Sequence, residues 1–298
     1  MDGWQLLVTD DGSPTLVHPV HGEACHSRAG AWLESRERYA RACRVRERAL
    51  ELAGRGERVL RLLDVGTGLG LNVAAALDAL DGTSVALDVV TLELDASVIE
   101  RTLVLARSGE LHARSSPELA RAHAPVLAAL ERALATRGRD PERPASVTMG
   151  DGRLLLLLGD GRETLPTLNP ARPFDAVFLD AFSPGVDGAL WQPSFLAELA
   201  RRMAPSAVLS TYSVSLAVRA GLAAAGLRVG PGGRVGTKAA GTLASHRPFP
   251  ADQPVLDART ARRVARRAAR LTAGESARPG GPPIEGGAPP RAISHPEG

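Results

Sequence analysis

The chain has 298 residues, 44% of them hydrophobic but only 3% aromatic, which suits one α/β core with appendages. Cys25 and Cys43 form neither a disulfide framework nor a metal-ligand spacing, Met1–Trp4 lacks the pattern of a secretion signal, and no apolar run nears the ~18 residues of a membrane span, so a cytoplasmic protein is expected. The formal net charge of +3 is localised: residues 1–250 hold 28 basic and 28 acidic residues, whereas 251–298 hold eight arginines and five acids. A case for RNA must therefore rest on local patches or on that last segment.

In chain order, Trp4 to Thr9 and Thr15 to His18 flank an Asp11-Gly12 turn and read as a β-hairpin. The polar stretch from Glu23 to Arg36, with His26 and Glu34, reads either as a charged helix entry or as a lid, and leads into a helix running through Arg48. Val59 to Asp64 is an apolar strand that stops at an acid, and Gly66, Gly68 and Gly70 follow at alternate positions before a helix from Val73 to Leu80. A strand that turns through glycines into a helix N-terminus makes a nucleotide-cofactor site, because glycine permits positive φ and close backbone approach. Leu71 stands where the dinucleotide fingerprint needs its third glycine, which disfavours a nicotinamide cofactor.

Val85 to Leu94 is a second strand, and Glu93 at its end falls 23 residues past Gly70, where an acid meets ribose hydroxyls; Asp95 is its competitor. Residues 96–145 read as arginine-rich helices broken at Pro117, Pro125, Pro141 and Pro144, with a loop near 137–146. Leu154 to Leu158 is a buried strand ending at Gly159-Asp160, and Asp160 reads equally as a helix cap or as a group beside an adenine. Phe174 to Leu179 ends at Asp180, followed by Phe182, Ser183 and Pro184. Four strands thus end in acids, Asp64, Glu93, Asp160 and Asp180, on one sheet edge, a pattern that packing does not explain. Trp191 to Met203 is a helix, Pro205-Ser206 a turn, Ala207 to Tyr212 a strand, and Val214 to Ala225 a helix. Leu227 to Val235 and Thr237 to Ser245 form a closing antiparallel pair. Beyond it, six arginines from Arg259 to Arg270 mark a basic helix with little apolar face, and the six glycines and six prolines of 271–298 predict disorder.

The G-x-G-x-G run from Gly66 to Gly70, with Asp64 ahead of it, resembles motif I of class I S-adenosylmethionine (SAM) methyltransferases. The chain as a whole resembles the methyltransferase domain of the MnmC tRNA-modifying family, through Gly22–Arg36, Asp64–Asn72, Gly159–Pro166 and the Phe-Asp-Ala-x-Phe-Leu-Asp-x-Phe-x-Pro signature from Phe174 to Pro184 with Trp191 after it. The resemblance implies an α/β, Rossmann-like fold with a seven-stranded sheet closed by the antiparallel hairpin. Residues 1–45 would form a hairpin and lid, 46–250 the methyltransferase domain, and 251–298 a basic tail. It implies SAM as the methyl donor, held by Asp64, Gly66, Thr67, Gly68, Gly70, Asn72, Glu93 and Asp160. It implies tRNA as partner, with the aminomethyl nitrogen on C5 of the wobble uridine as acceptor and Asp180 as catalytic carboxylate. Phe182 or Trp191 would stack on the uridine or serve ordinary packing, Ser183 would offer a secondary acceptor, and Lys238 with Arg234 would meet phosphates. No metal is implied, and no FAD, since only residues 251–298 follow the sheet. The rival readings are transfer to a small amine, by a methyltransferase or an aminopropyltransferase, and a non-catalytic RNA-binding protein of the same fold.

Overall fold

The computed structural model describes residues 3–137, 146–168, 172–183, 185, 188–233, 235, 241–250 and 253–274. Five parallel strands form its centre: β3 (Val59–Val65), β4 (Ala86–Glu93), β6 (Gly152–Leu158), β7 (Phe174–Leu179) and β8 (Met203–Thr211). Their apolar runs carry no polar alternation because helices cover both faces; all six residues of β7 are buried. β9 (Arg228–Pro231) and β10 (Thr242–Ser245) close one edge as the expected antiparallel pair, and the sheet order is β5-β6-β4-β3-β7-β8-β10-β9. The order reverses between β3 and β7, so a crevice opens where the glycine loop after β3 meets Asp180 after β7.

Several features depart from the sequence expectation. The sheet has eight strands, because β5 (Ser146–Met149) pairs antiparallel to β6; its four residues alternate exposed and buried, too short a run to signal a strand. Pro205 lies inside β8 rather than in a turn before it, where the β7–β8 register shifts between Phe174 and Ala176, so its missing N–H interrupts a bulge rather than a regular ladder. Pro125 likewise sits within α5 (Pro117–Arg137) without ending it.

The N-terminal hairpin, β1 (Gln5–Val8) and β2 (Pro14–Val17), forms around Gly12 with φ +79°. The helix expected through Arg48 is divided. α1 (Ala31–Glu34) continues as a π-helical turn over Ser35–Arg41, Arg44 adopts a left-handed conformation, and α2 (Val45–Gly54) follows. Wide π turns recur at functional sites, and this one carries Arg38 and Tyr39. α3 (Leu71–Ala79), α4 (Ala96–Arg107), α6 (Gly161–Thr164), α7 (Pro193–Arg202) and α8 (Leu216–Ala224) complete the layers. The basic helix, α9 (Ala258–Thr272), packs on α8 with Val264 and Ala268 buried, so it has the apolar face that the sequence did not reveal.

Candidate active site

A cavity of about 670 Å³ lies at the crevice, within the roughly 300–1,000 Å³ typical of small-molecule sites. One wall is the sheet edge: Gly66, Thr67, Gly68, Glu93, Asp160 and Asp180. The other is the N-terminal segment, including Trp4, His18, Glu23, His26, Glu34 and Arg38. Of the stretch from Glu23 to Arg36, residues Glu23 to Ser27 and Glu34 face the cavity. Trp4 Nε1 donates to Ser97 Oγ at 2.8 Å, and Ser183 Oγ donates to Glu23 at 3.1 Å; both bonds tie the segment down.

The glycine loop is shaped by contacts that admit no side chain. Gly66 has φ +96°, and a Cβ there would meet the Asp180 carbonyl oxygen at 2.5 Å. Gly70 has φ +82° and lies under α5, where a Cβ would come within 3.0 Å of Val126. The Gly68 N–H donates to Glu93 Oε2 at 2.9 Å, which fixes this carboxylate between the loop and the end of β4. Burial pushes the Glu93 carboxyl above its ordinary range, although N–H donors from Gly68, Asp95 and Leu94 oppose the shift.

His123, on α5, was not singled out from the sequence. It is fully buried, and its Nε2 lies 2.7 Å from the Leu69 carbonyl oxygen. That acceptor makes Nε2 the protonated nitrogen, so Nδ1 receives the proton of His112 Nε2 at 3.2 Å. Burial holds His123 neutral, with its pKa lowered to about 3, and α5 thereby buttresses the loop.

Asp180 ends the adjacent strand β7, beside the glycine loop, with its N–H donating to the Val65 carbonyl oxygen at 2.8 Å. Its Oδ1 accepts the Tyr39 hydroxyl in a short hydrogen bond and its Oδ2 accepts Asn72 Nδ2 at 2.7 Å. Burial first, then the Glu34 charge, raise its pKa well above the carboxylate range, and the two hydrogen bonds act in the opposite sense. Glu34 is itself held by the Ser27 N–H at 2.8 Å and by Arg38 Nε at 3.0 Å. Arg38 is 2% exposed, and among the described residues its Nη1 has no hydrogen-bond partner. Tyr39 had no signal in the sequence: it reaches Asp180 across 141 positions only because the π turn aims it there.

Several expected site residues take other positions. Asp64 is 0% exposed and does not line the cavity; the Thr91 hydroxyl donates to it at 2.8 Å, and Thr91 meets Thr67 at 2.6 Å. It holds the loop from beneath rather than touching a ligand. Gly70 also lies off the cavity, and Asn72 orients Asp180 instead of lining the cofactor wall. Asp160 caps α6 through the Arg162 N–H at 2.8 Å and also faces the cavity. Phe182 lines the cavity within an aromatic cluster, 5.3 Å from His18 and 6.5 Å from Trp4 between ring centroids. Trp191 is 6% exposed, donates Nε1 to the Phe182 carbonyl oxygen at 2.8 Å and packs edge-on against Tyr212, so its ring is core and cannot stack on a base. Ser183 engages Glu23, while Pro184, Arg234 and Lys238 lie outside the described residues.

The residues present fit a SAM-type ligand. Positive-φ glycines open the wall, a carboxylate stands at the end of the strand after the loop, and Glu23, Glu34, Glu93, Asp95, Asp160 and Asp180 suit a cationic sulfonium. Sheet order and site together define a class I SAM-dependent methyltransferase. Comparison with known proteins agrees. A family described as S-adenosyl-L-methionine-dependent methyltransferase matches residues 130–247. The tRNA 5-methylaminomethyl-2-thiouridine biosynthesis bifunctional protein MnmC of Aromatoleum aromaticum is 35% identical over 237 residues, 76% of this chain and 33% of that protein. Its counterpart in Methylibium petroleiphilum is 33% identical over 236 residues, 77% of this chain and 33% of that protein. The chain thus spans about a third of the length of these curated relatives. The crystal structure of MNMC2 from Aquifex aeolicus superposes with a TM-score of 0.67 at 30% identity, covering 89% of this chain and 76% of that one. The chain belongs to the MnmC methyltransferase family.

Proposed function

We propose that this methyltransferase acts on the primary amine of an aminomethyl group at C5 of the tRNA wobble uridine. The observation that carries the reading is Asp180, a carboxylate at the switch point beside the glycine loop, whose two oxygens are fixed by Tyr39 and Asn72. The methyl donor, when bound, supplies an electrophilic methyl on a cationic sulfur. Gly66 to Gly68, Glu93 and Asp160, which line the cavity, would hold its nucleoside end. An aliphatic amine arrives mainly as an ammonium ion, which has no lone pair. Asp180 accepts its N–H, orients the nitrogen and takes one proton, leaving the lone pair free to attack; burial raises the basicity of this carboxylate above that of an ordinary aspartate. Alignment supplies most of the remaining rate, since the donor is already activated.

One feature favours a pyrimidine nucleotide over a simple amine. His18 and Phe182, half-buried and backed by Trp4, offer an aromatic surface at the cavity for an unstacked base. The relatives' printed names, which concern tRNA 5-methylaminomethyl-2-thiouridine biosynthesis, agree in substrate class. The test is incubation with SAM and tRNA from a strain lacking wobble-uridine methylation, followed by nucleoside mass analysis. Gain of one methyl on the aminomethyl uridine is expected. No gain on tRNA, with methylation of free small amines, would refute the tRNA assignment.

A further inference from the structure

Net charge in this protein is concentrated on one rigid element. Arg259, Arg262, Arg263, Arg266, Arg267 and Arg270 all lie on α9, and every one of them is exposed. Their spacings of three and four place them on a single face. At 100° per residue that face points away from Val264 and Ala268, the side chains that bury against α8. Among the described residues none of the six makes an ion pair, and α9 contains no acid; Asp257, just before it, is committed to capping through the Thr260 N–H at 2.9 Å. The stripe from Arg259 to Arg270 is about 16 Å long. Six unneutralised guanidinium groups this close repel one another, an arrangement that a polyanion relieves.

The stripe is also tied to the catalytic edge. Tyr212 and Val214 line the cavity, α8 begins at Leu216, and α9 packs along α8. With α8 about 14 Å long and packed helices about 10 Å apart, the arginine face lies roughly 25 Å from the cavity mouth. We infer that the arginine face of α9 is a docking surface for the phosphate backbone of the RNA substrate, holding the stem while the reactive base enters the cavity. The inference rests on the tRNA reading above. A membrane surface is the poorer match, because the apolar face of α9 is already used against α8 and leaves nothing to insert in lipid. The neutral body of the chain makes the same point: without the arginines of α9 the chain has no excess of positive charge with which to attract RNA.

The test compares the full chain with a triple variant, Arg263→Gln, Arg266→Gln and Arg270→Gln, and with the matching Arg→Lys triple. Binding to an unmodified tRNA transcript is measured over a range of salt concentrations. Losing three phosphate contacts should lower the slope of log K against log salt by about two to three and weaken binding tenfold or more at moderate salt. The Lys triple should retain the slope. KM for tRNA should rise in the Gln triple, while kcat at saturating tRNA, SAM affinity and the melting temperature stay unchanged, since none of the three side chains touches the cavity. An unaltered slope with methyl transfer to tRNA intact would overturn the docking surface and leave the functional reading standing. The expected slope change without any methylation of wobble uridine would support the surface and refute that reading. Wild-type binding to phosphatidylserine vesicles or to an acidic protein, with no α9-dependent RNA binding, would overturn the inference.

Discussion

Tyr39→Phe isolates the chemical role of the Asp180 pair. The ring is fully buried against Phe178, with centroids 5.5 Å apart, so removing only the hydroxyl preserves the packing. What is lost is a hydrogen bond that stabilises the ionised form of Asp180, whose pKa burial has already raised. A hydrogen bond to a charged group contributes about 1.5–3 kcal/mol, and about 1.4 kcal/mol corresponds to one pKa unit. The Asp180 pKa should therefore climb by a further one to two units. Because the base form is the active one, the rising limb of kcat against pH should move to higher pH by that amount. At a pH below the limb, kcat should fall roughly ten- to a hundredfold and recover in alkaline buffer. The assay is kcat across pH at saturating SAM and tRNA, with SAM affinity measured separately. A limb that stays in place, or moves to lower pH, would falsify the assignment of Asp180 as proton acceptor.

The remaining predictions concern the two walls and the core beneath them. Asp180→Asn should abolish turnover while leaving SAM affinity within a few-fold in calorimetry; loss of SAM binding instead would assign the residue to the cofactor. Glu93→Ala should weaken SAM by roughly tenfold to a hundredfold, the worth of a charge-assisted hydrogen bond, and unchanged affinity would shift the ribose contact to Asp95. Gly66→Ala puts a Cβ against the Asp180 carbonyl at a φ of +96°, so both SAM binding and melting temperature should drop; a variant with wild-type affinity would contradict the close approach. Asp64 has its carboxyl pushed up to about 7 by burial, above its unfolded value, so the native state holds the proton more tightly and this group's contribution to stability is lost as pH rises from about 4 to 7. Asp64→Asn should flatten stability against pH across that window relative to wild type, as read by denaturant unfolding; parallel curves would show that Asp64 does not titrate there.

The elements legible in the sequence were those with strong local signals. Continuous apolar runs marked β3, β4, β6 and β7, and glycine spacing marked the loop, because a buried parallel strand and a positive-φ turn each constrain the residues that compose them. The acids ending those strands could be assigned to one edge because parallel strands point their carboxyl ends the same way. Short or composite elements were not legible. β5 has only two buried positions, and the π turn has no pattern of its own.

The sequence by itself thus determined the parallel strands at the centre of the sheet, the glycine loop and the presence of Glu93, Asp160 and Asp180 along the crevice. Only the tertiary structure decided what each side chain does there. It withdrew Asp64 and Trp191 into the core, turned Asn72 and Tyr39 onto Asp180, set His123 behind Leu69, and gave α9 a partner in α8 that leaves its arginines outward. Periodicity reports which face of an element is apolar, whereas a hydrogen bond between residues 108 or 141 positions apart depends on how whole elements pack.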